Sequence, residues 1–280
     1  MSPIHDSDQT PPADLAATIA RALTFWVATM ALLAIASPLA VRVSAPWHMA
    51  AIGAATGIAT WLLAWAFLRW QRMSLADAGL MPARGSAARF LAGVALGVAI
   101  ATAHAALLAS FAHVRFVAVT HVDAGAVAVA CVGFLALAAR EEIAFRGYLL
   151  PVLASRIGVA AALALTATLF AIEHAFGGAS WANVVFGAIP GALVFGMAAL
   201  ASRGIAMPLG LHAAWNGVDW ATGGKGADGL WRRVVEPGHA STAEALGLAC
   251  YGLAMAAAFC LLWWIRRRAQ RTGSRTHKAR

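Results

Sequence analysis

The sequence predicts an all-α membrane protein, a polytopic bundle of about eight transmembrane helices, and three observations carry this prediction. Hydrophobic residues make up 61% of the 280-residue chain and charged residues only 12%, with a mean hydropathy of +0.73. Soluble domains carry about twice that share of charge, so lipid must solvate much of this surface. Apolar runs of spanning length recur along the sequence, and its eleven tryptophans suit the headgroup region of a membrane.

Eight apolar runs are the predicted transmembrane helices. They cover residues 19–41, 48–68, 90–112, 124–145, 158–175, 180–201, 204–222 and 244–265. Most are near the roughly 20 residues that a spanning helix needs, although charges interrupt the fourth run and the fifth is short. A turn at Arg156-Ile157-Gly158 would join these two runs as a hairpin. The chain then divides into a disordered N-terminus, 1–18, a membrane domain, 19–265, and a basic tail, 266–280.

The distribution of Lys and Arg predicts how the bundle is oriented. With eight spans both termini share one side, and that side would hold most of the 21 basic residues. Because basic connections stay in the cytoplasm, both termini are expected there. The alanine-rich composition favours the plasma membrane of a prokaryote. The basic tail could bind nucleic acid or anionic lipid, and its place directly after an apolar helix favours lipid, so nucleic acid is not an expected partner.

Three polar clusters interrupt the apolar runs, where an ionisable group costs several kcal/mol and is by default a functional candidate. They are Arg140-Glu141-Glu142-Ile143-Ala144-Phe145-Arg146, Phe170-Ala171-Ile172-Glu173-His174 and His212-Ala213-Ala214-Trp215-Asn216. Each has a plain structural alternative: charges at a helix end, a histidine at a helix terminus, and a polar pair that joins two helices.

Helical geometry predicts how the side chains of these clusters are arranged. Glu142 and Arg146 are four residues apart and can form an ion pair. Glu141 lies about 100° round the helix from Glu142 and can therefore face the interior of the bundle. His212 and Asn216 are also four residues apart, which places both on one face of their helix.

Helix lengths predict that the first two clusters meet, and that His212 reaches the same height if the hairpin projects roughly 10 Å beyond the turn before the seventh run. Glu141 and His174 lie at nearly equal distances along the chain from the turn at 156–158, so an antiparallel hairpin brings them to one height. Two histidines and one glutamate with an open position form a common catalytic zinc set, which makes Glu141, His174 and His212 candidate ligands. Without a metal, Glu141 and His174 could activate water directly, while His212 and Asn216 stabilise an oxyanion.

At these positions the sequence resembles the type II CAAX prenyl protease and bacteriocin-processing family of intramembrane peptidases, also known as the abortive-infection group. That family carries Glu-Glu-x-x-x-Arg, Phe-x-x-x-His and His-x-x-x-Asn on successive membrane helices. The same patterns stand here, in order, as Glu141-Glu142…Arg146, Phe170…His174 and His212…Asn216. The resemblance covers a peptidase core of about 125–222.

The resemblance implies an endopeptidase that hydrolyses peptide bonds of membrane-associated, lipidated or small peptide substrates. It assigns activation of the water to Glu141 and His174. The other residues that it implies complete or support the site: His212, Asn216, Glu142 and Arg146. The family is labelled metalloprotease, yet a metal-free glutamate mechanism is also argued, so a zinc cofactor is one of two expectations.

A membrane immunity or scaffold protein without enzymatic activity, or a transporter that uses the same polar cavity, is the competing interpretation. A transporter is expected to show repeated halves, and a degenerate immunity protein to have lost a catalytic position. The sequence shows neither feature. A peptidase is therefore favoured, with the lipid bilayer and a peptide or protein substrate as partners; the sequence gives no expectation for an oligomeric state.

Overall fold

Helices make up most of the computed structural model, which describes residues 15–39, 42–226 and 229–278, with side chains as far as residue 271. In chain order the helices are α1 Leu15–Leu39, α2 His48–Trp70, α3 Ser86–Phe111, α4 Ala124–Glu142, α5 Leu150–Phe176, α6 Trp181–Asn183, α7 Ile189–Ser202, α8 Ala206–Ala221 and α9 Ala240–Lys278. A 3-10 helix, Ala45–Trp47, precedes α2, and π-helical segments Ile143–Leu149 and Val184–Ala188 link α4 to α5 and α6 to α7. The strands are β1 Val114–Ala118 and β2 Trp231–Val235.

These elements form eight rods in the described part of the chain. The helix that begins as α4 runs on through the π-helical segment into α5, and the chain breaks direction at Gly158, which has φ 79° and ψ 162°. Glycine adopts this conformation readily, whereas other residues rarely do. The second π-helical segment likewise makes one rod of α6 and α7. The predicted bundle of about eight helices, with a hairpin at residues 156–158, is confirmed.

Six segments of the described residues are long and apolar enough to cross a membrane. They are Leu15–Leu39, Ala45–Trp70, Ser86–Phe111, Ala124–Phe176, Trp181–Ser202 and Ala240–Arg271. The fourth of these contains the hairpin and therefore two rods, and the remaining rod, α8, is shorter, with 16 residues. The protein is thus a multi-pass membrane protein.

The predicted boundaries of the two terminal segments do not coincide with the ends of the first and last helices. Residues 1–14 of the expected disordered N-terminus lie outside the described residues, and 15–18 belong to α1. The basic tail, expected to begin at residue 266, continues the last membrane helix as far as Lys278. Arginine and alanine in the tail favour helix, so the hydropathy boundary does not coincide with the end of the helix.

A two-stranded ribbon at one end of the bundle was not predicted. β1 and β2 pair antiparallel, from Val114 opposite Val235 to Ala118 opposite Trp231. β1 belongs to the α3–α4 connection and β2 to the α8–α9 connection, so both connections lie at the same end, called here the ribbon end. The strands have only five residues each within polar connections, which leaves little periodicity to detect.

The opposite end of the bundle, called here the tail end, is where α9 finishes. The backbone N–H of Ile205 donates to the carbonyl oxygen of Gly79 at 3.2 Å, which brings the α7–α8 turn against the α2–α3 connection. Arg266 of α9 lies beside Arg203 at the end of α7, in the wall of the same small depression. The α2–α3 connection, the α7–α8 turn and the end of α9 therefore share one end.

Glycines allow α3 and α8 to pack at backbone distance. A Cβ placed on Gly93 would lie 2.1 Å from the carbonyl oxygen of Met207, and one on Gly210 would lie 2.2 Å from that of Phe90. Small residues at helix contacts are typical of membrane bundles, because they let two backbones approach closely. Since α8 carries His212, this contact fixes the position of a candidate site residue.

Replacement of Gly210 by alanine should destabilise the bundle, because the new methyl group would overlap the Phe90 carbonyl and push α3 away from α8. Overpacking of this kind costs about 1–3 kcal/mol. Gly252→Ala is the matched control, since a Cβ at that position of α9 meets nothing within 4 Å. Thermal unfolding in detergent should show a lower midpoint for Gly210→Ala only. Equal midpoints for both variants would contradict the close packing of α3 on α8.

Candidate active site

The structure brings the four side chains predicted as catalytic to one region of the bundle. Glu141 lies near the end of α4, His174 near the end of α5, and His212 and Asn216 on α8. His212 Nε2 is 3.7 Å from Glu141 Oε2. His174, His212 and Asn216 line a common cavity. Glu141 is not among the side chains that line this cavity and meets the site through His212.

Glu142 lies inside the site rather than behind it. Its Oε1 accepts a hydrogen bond from His212 Nδ1 at 2.8 Å and another from Arg146 Nη1 at 3.2 Å. The His212 ring is thereby held between two carboxylates, with Nδ1 toward Glu142 and Nε2 toward Glu141. The expected pair of Glu142 and Arg146 is present, and Glu142 in addition orients the imidazole.

Arg146 lies in the π-helical segment and reaches across to α7. Its Nη2 donates to the carbonyl oxygen of Ala192 at 2.9 Å. The guanidinium carbon lies 5.0–5.6 Å from the ring centroids of Phe145, Phe170 and Phe195. A buried arginine enclosed by aromatic rings and paired with a carboxylate is held in one orientation. Arg146 therefore fixes Glu142, and through it His212.

The hydrogen bond of His174 determines which of its nitrogens is available. His174 Nδ1 lies 2.9 Å from the carbonyl oxygen of Phe170, one turn earlier on α5. A carbonyl oxygen only accepts, so the proton is on Nδ1 and Nε2 has a free lone pair. His174 can therefore act through Nε2 as a base or as a metal ligand.

Glu141 carries a buried carboxylate oxygen. Its Oε2 has no hydrogen-bond partner among the described residues. The great majority of buried polar atoms do have one, and ordered water often supplies it. A water molecule or a cation at this oxygen would satisfy it, next to His212.

The donor set fits zinc by its chemistry but is more open than a zinc site. The Nδ1 atoms of His174 and His212 are both held by oxygens, which is the usual arrangement of zinc-bound imidazoles that ligate through Nε2. Ligand atoms around tetrahedral zinc lie about 3.4 Å apart. Among the described residues, the set of Glu141, His174 and His212 is not one whose ligand atoms all lie within 4.8 Å of one another. These three side chains would have to close in to bind a metal.

A second buried ion pair, which the sequence interpretation missed, joins α4 to α5 next to the site. Arg140 Nη1 donates to Glu173 Oε1, and Arg140 Nη2 donates to the carbonyl oxygen of Thr29 in α1 at 3.3 Å. The two charged residues are 1% and 6% exposed. Since they are the chain neighbours of Glu141 and His174, their pairing fixes the two catalytic candidates relative to each other.

A cavity of about 530 Å³ leads from the site to the ribbon end. Its inner part is lined by His174, His212 and Asn216, and its outer part reaches Val114 and Val235, the first residue of β1 and the last of β2. The chain therefore has an open route from the ribbon end to the candidate catalytic groups.

His104 of α3 also belongs to the wall of this cavity, although its sequence neighbourhood gave no sign of a role. It lies 5.5 Å from the ring of Trp215 and 5.8 Å from that of Tyr251, and it is 7% exposed. A lone histidine in an apolar run carries no periodic partner, so only the packing of α3 against α8 and α9 reveals its place.

Comparison with known families identifies a match in the central part of the chain. Residues 123–218 match the model of a family described as type II CAAX prenyl endopeptidase, Rce1-like. The matched segment is about a third of the chain and contains all of the predicted site residues, together with Arg140 and Glu173. No curated protein and no solved structure matched the chain.

The pairing of Arg140 with Glu173 predicts a specific pattern of stabilities. Arg140→Met and Glu173→Met should each cost about 3–5 kcal/mol, because each leaves one buried charge without its partner. The double variant removes both charges and should recover most of that loss. The midpoint of unfolding in detergent measures the effect.

The matched control for this cycle is Arg156→Met, at an exposed arginine of the hairpin, which should unfold like the wild type. A double variant as unstable as the sum of the two single variants would show that Arg140 and Glu173 do not interact.

Proposed function

We propose that the chain is an intramembrane endopeptidase of the type II CAAX prenyl endopeptidase, Rce1-like family, whose model matches residues 123–218, and that Glu141 and His174 activate water in it. The observation that carries this proposal is the unpartnered Oε2 of Glu141. It is buried, it has no hydrogen-bond partner among the described residues, and it lies 3.7 Å from His212 Nε2.

Glu141 acts as the general base in the proposed reaction. A water molecule bound at Oε2 gives its proton to the carboxylate as the water oxygen attacks the carbonyl carbon of the peptide. The bond between carbon and nitrogen then breaks, and the same proton passes to the leaving amine. A base positioned in this way contributes about 10²–10⁴-fold to the rate.

The histidines and Asn216 act on the water and on the developing oxyanion. His174 offers the lone pair of Nε2 as a second acceptor for the attacking water, since its Nδ1 is bound to the Phe170 carbonyl. Asn216 shares a face of α8 with His212 at the inner end of the cavity, where its amide can donate to the oxyanion. The His212 ring lies beside Asn216 on the same face, and Glu142 holds its orientation through Nδ1.

A zinc-dependent reaction is the second mechanism, with Glu141, His174 and His212 as the ligands. A zinc ion held by these residues would lower the pKa of a bound water to about 7, so the water would be activated without a glutamate base. The open spacing of the three side chains favours the direct base.

We place the chain in the plasma membrane of a prokaryote, with the tail end in the cytoplasm. The α2–α3 connection, the α7–α8 turn and the end of α9 meet at that end, and basic residues concentrate there: Arg69, Arg72, Arg84, Arg203, Arg266, Arg267 and Arg268. Basic connections are retained in the cytoplasm. The ribbon end then faces the opposite side, and peptide substrates enter the cavity from there.

Substitution of Glu141 by glutamine tests the chemistry, because it keeps the shape of the side chain and removes the base. Substrates are found by comparing membrane peptides from cells that carry the wild type or Glu141→Gln, and are then cleaved by purified protein in liposomes. Activity of Glu141→Gln and of His174→Ala should fall at least ~10²-fold. The double variant should be barely worse than either single one, because both residues activate the same water.

The control for these variants is His121→Ala, at an exposed histidine of the β1–α4 connection, which should keep full activity. Activity should also survive removal of metal by a chelator; loss that zinc restores would establish the zinc mechanism instead. A folded Glu141→Gln variant that cleaves at the wild-type rate would refute the peptidase and leave an immunity or scaffold role.

Access from the ribbon end is tested by labelling single cysteines in intact cells, after the three native cysteines have been replaced. Ser180→Cys lies at an exposed position in the wall of the cavity, and Ala83→Cys at an exposed position of the tail end. A maleimide that does not cross membranes should label Ser180→Cys directly and Ala83→Cys only after permeabilisation. The reverse pattern would place the cavity mouth in the cytoplasm.

A further inference from the structure

Three side chains that bind metals converge at the ribbon end, away from the candidate active site. The ligand atoms of His113, Glu236 and His239 all lie within 4.8 Å of one another, and this is the one such group of three or more found among the described residues. His113 Nδ1 lies 3.1 Å from Glu236 Oε2, and the His113 and His239 rings stack with centroids 4.0 Å apart. We propose that these residues form a divalent-cation site of the zinc type.

The register of the ribbon builds this group. His113 precedes β1 and Glu236 follows β2, so the pairing of Val114 with Val235 sets them opposite each other. The backbone N–H of Glu236 donates to the carbonyl oxygen of His113 at 3.0 Å, which continues the ladder by one step. The backbone therefore holds His113 and Glu236 together, although they are 123 positions apart in the sequence.

A tight turn brings the third ligand back to the first two. The backbone N–H of His239 donates to the carbonyl oxygen of Glu236 at 3.1 Å, and the turn passes through Gly238, which has φ 81°. The carbonyl oxygen of His239 then accepts from the N–H of Ala243 at 2.8 Å, where α9 begins. Hydrogen bonds on both sides of His239 thus fix its backbone.

Two imidazoles and one carboxylate are a donor set that zinc prefers, and three protein ligands leave a coordination position for water. Ligand atoms of tetrahedral zinc lie about 3.4 Å apart, so small side-chain rotations would close the group around an ion. His113 and Glu236 are 41% and 43% exposed, which gives an ion a path from solvent. An ion pair between His113 and Glu236 would involve only two of the three residues, whereas a bound cation would be coordinated by all three.

The position of the group gives a bound cation a structural effect on the cavity. The residue that follows His113, the residue before Glu236 and the residue that follows His239 all line the cavity: Val114, Val235 and Ala240. A cation would therefore tie together the segment after α3, the end of β2 and the start of α9, the three segments that frame the cavity mouth. No residue assigned to catalysis takes part, so the site does not depend on the proposed peptidase.

Zinc binding to the full-length protein in detergent tests this proposal, measured by calorimetry and by the shift of the unfolding midpoint. The protein is purified through a tag that contains no histidine. The wild type and the control His121→Ala should bind one zinc ion at the ribbon and unfold at a higher temperature with zinc. His113→Ala, His239→Ala and Glu236→Gln should each bind at least ~10-fold more weakly and lose the shift.

A further variant distinguishes zinc bound at the ribbon from zinc bound at the candidate active site. The His174→Ala variant should retain the zinc ion of the ribbon, because His174 is not a ligand there. Glu236→Gln keeps the shape of its side chain. If a histidine variant fails to fold, the zinc affinity of Glu236→Gln decides whether the proposal stands. Zinc affinity equal to that of the wild type in the ribbon variants, or zinc binding lost only in His174→Ala, would overturn the proposal.

Discussion

The candidate site depends on the hydrogen bonds of one buried carboxylate oxygen, Oε1 of Glu142. Glu142 Oε1 accepts hydrogen bonds from His212 of α8 and from Arg146, and Arg146 in turn donates to Ala192 of α7. Glu142 has a side-chain exposure of 0%, and a carboxylate in such a place is very costly unless it is paired and hydrogen-bonded. Glu142, Arg146 and His212 can therefore be buried only as a group. Their mutual dependence locks three rods into one arrangement around the cavity.

Glu141 is confined because both of its neighbours on the helix are anchored. Arg140 is paired with Glu173 of α5, and Glu142 is bound to α8, so the backbone at Glu141 has fixed contacts on two sides. Its own contact with His212, at 3.7 Å, is too long for a hydrogen bond. The backbone that carries Glu141 is thus fixed, and a fixed backbone is the preorganisation that the proposed general base would require.

The sequence predicted what depends on local pattern and missed what depends on pairing between helices. Hydropathy defined the rods, and helical spacing gave the pair of Glu142 and Arg146 and the shared face of His212 and Asn216, because both signals repeat within one helix. The contact of Glu142 with His212 depends on how α4 and α8 rotate toward each other, which no single helix encodes. The same distance argument that aligned the catalytic candidates across the hairpin also aligns their neighbours. The buried pair of α4 and α5 was therefore available from the sequence, and the ribbon, with five-residue strands, was not.

The two ends of the cavity are stabilised by different interactions: buried charges at the candidate site and a two-stranded ribbon at the mouth. At the inner end the charges are buried, so solvent and salt screen them little and the geometry of the candidate site is insensitive to the medium. At the mouth, His113 and Glu236 are two-fifths exposed and a two-stranded ribbon supplies the framework. A small buried apolar cluster of Leu108, Ala112, Val114 and Ala243 packs β1 against α3 and the start of α9. The mouth and the inner end are therefore held by separate sets of contacts, so a change in the ribbon or at the start of α9 need not disturb Glu142 and its partners.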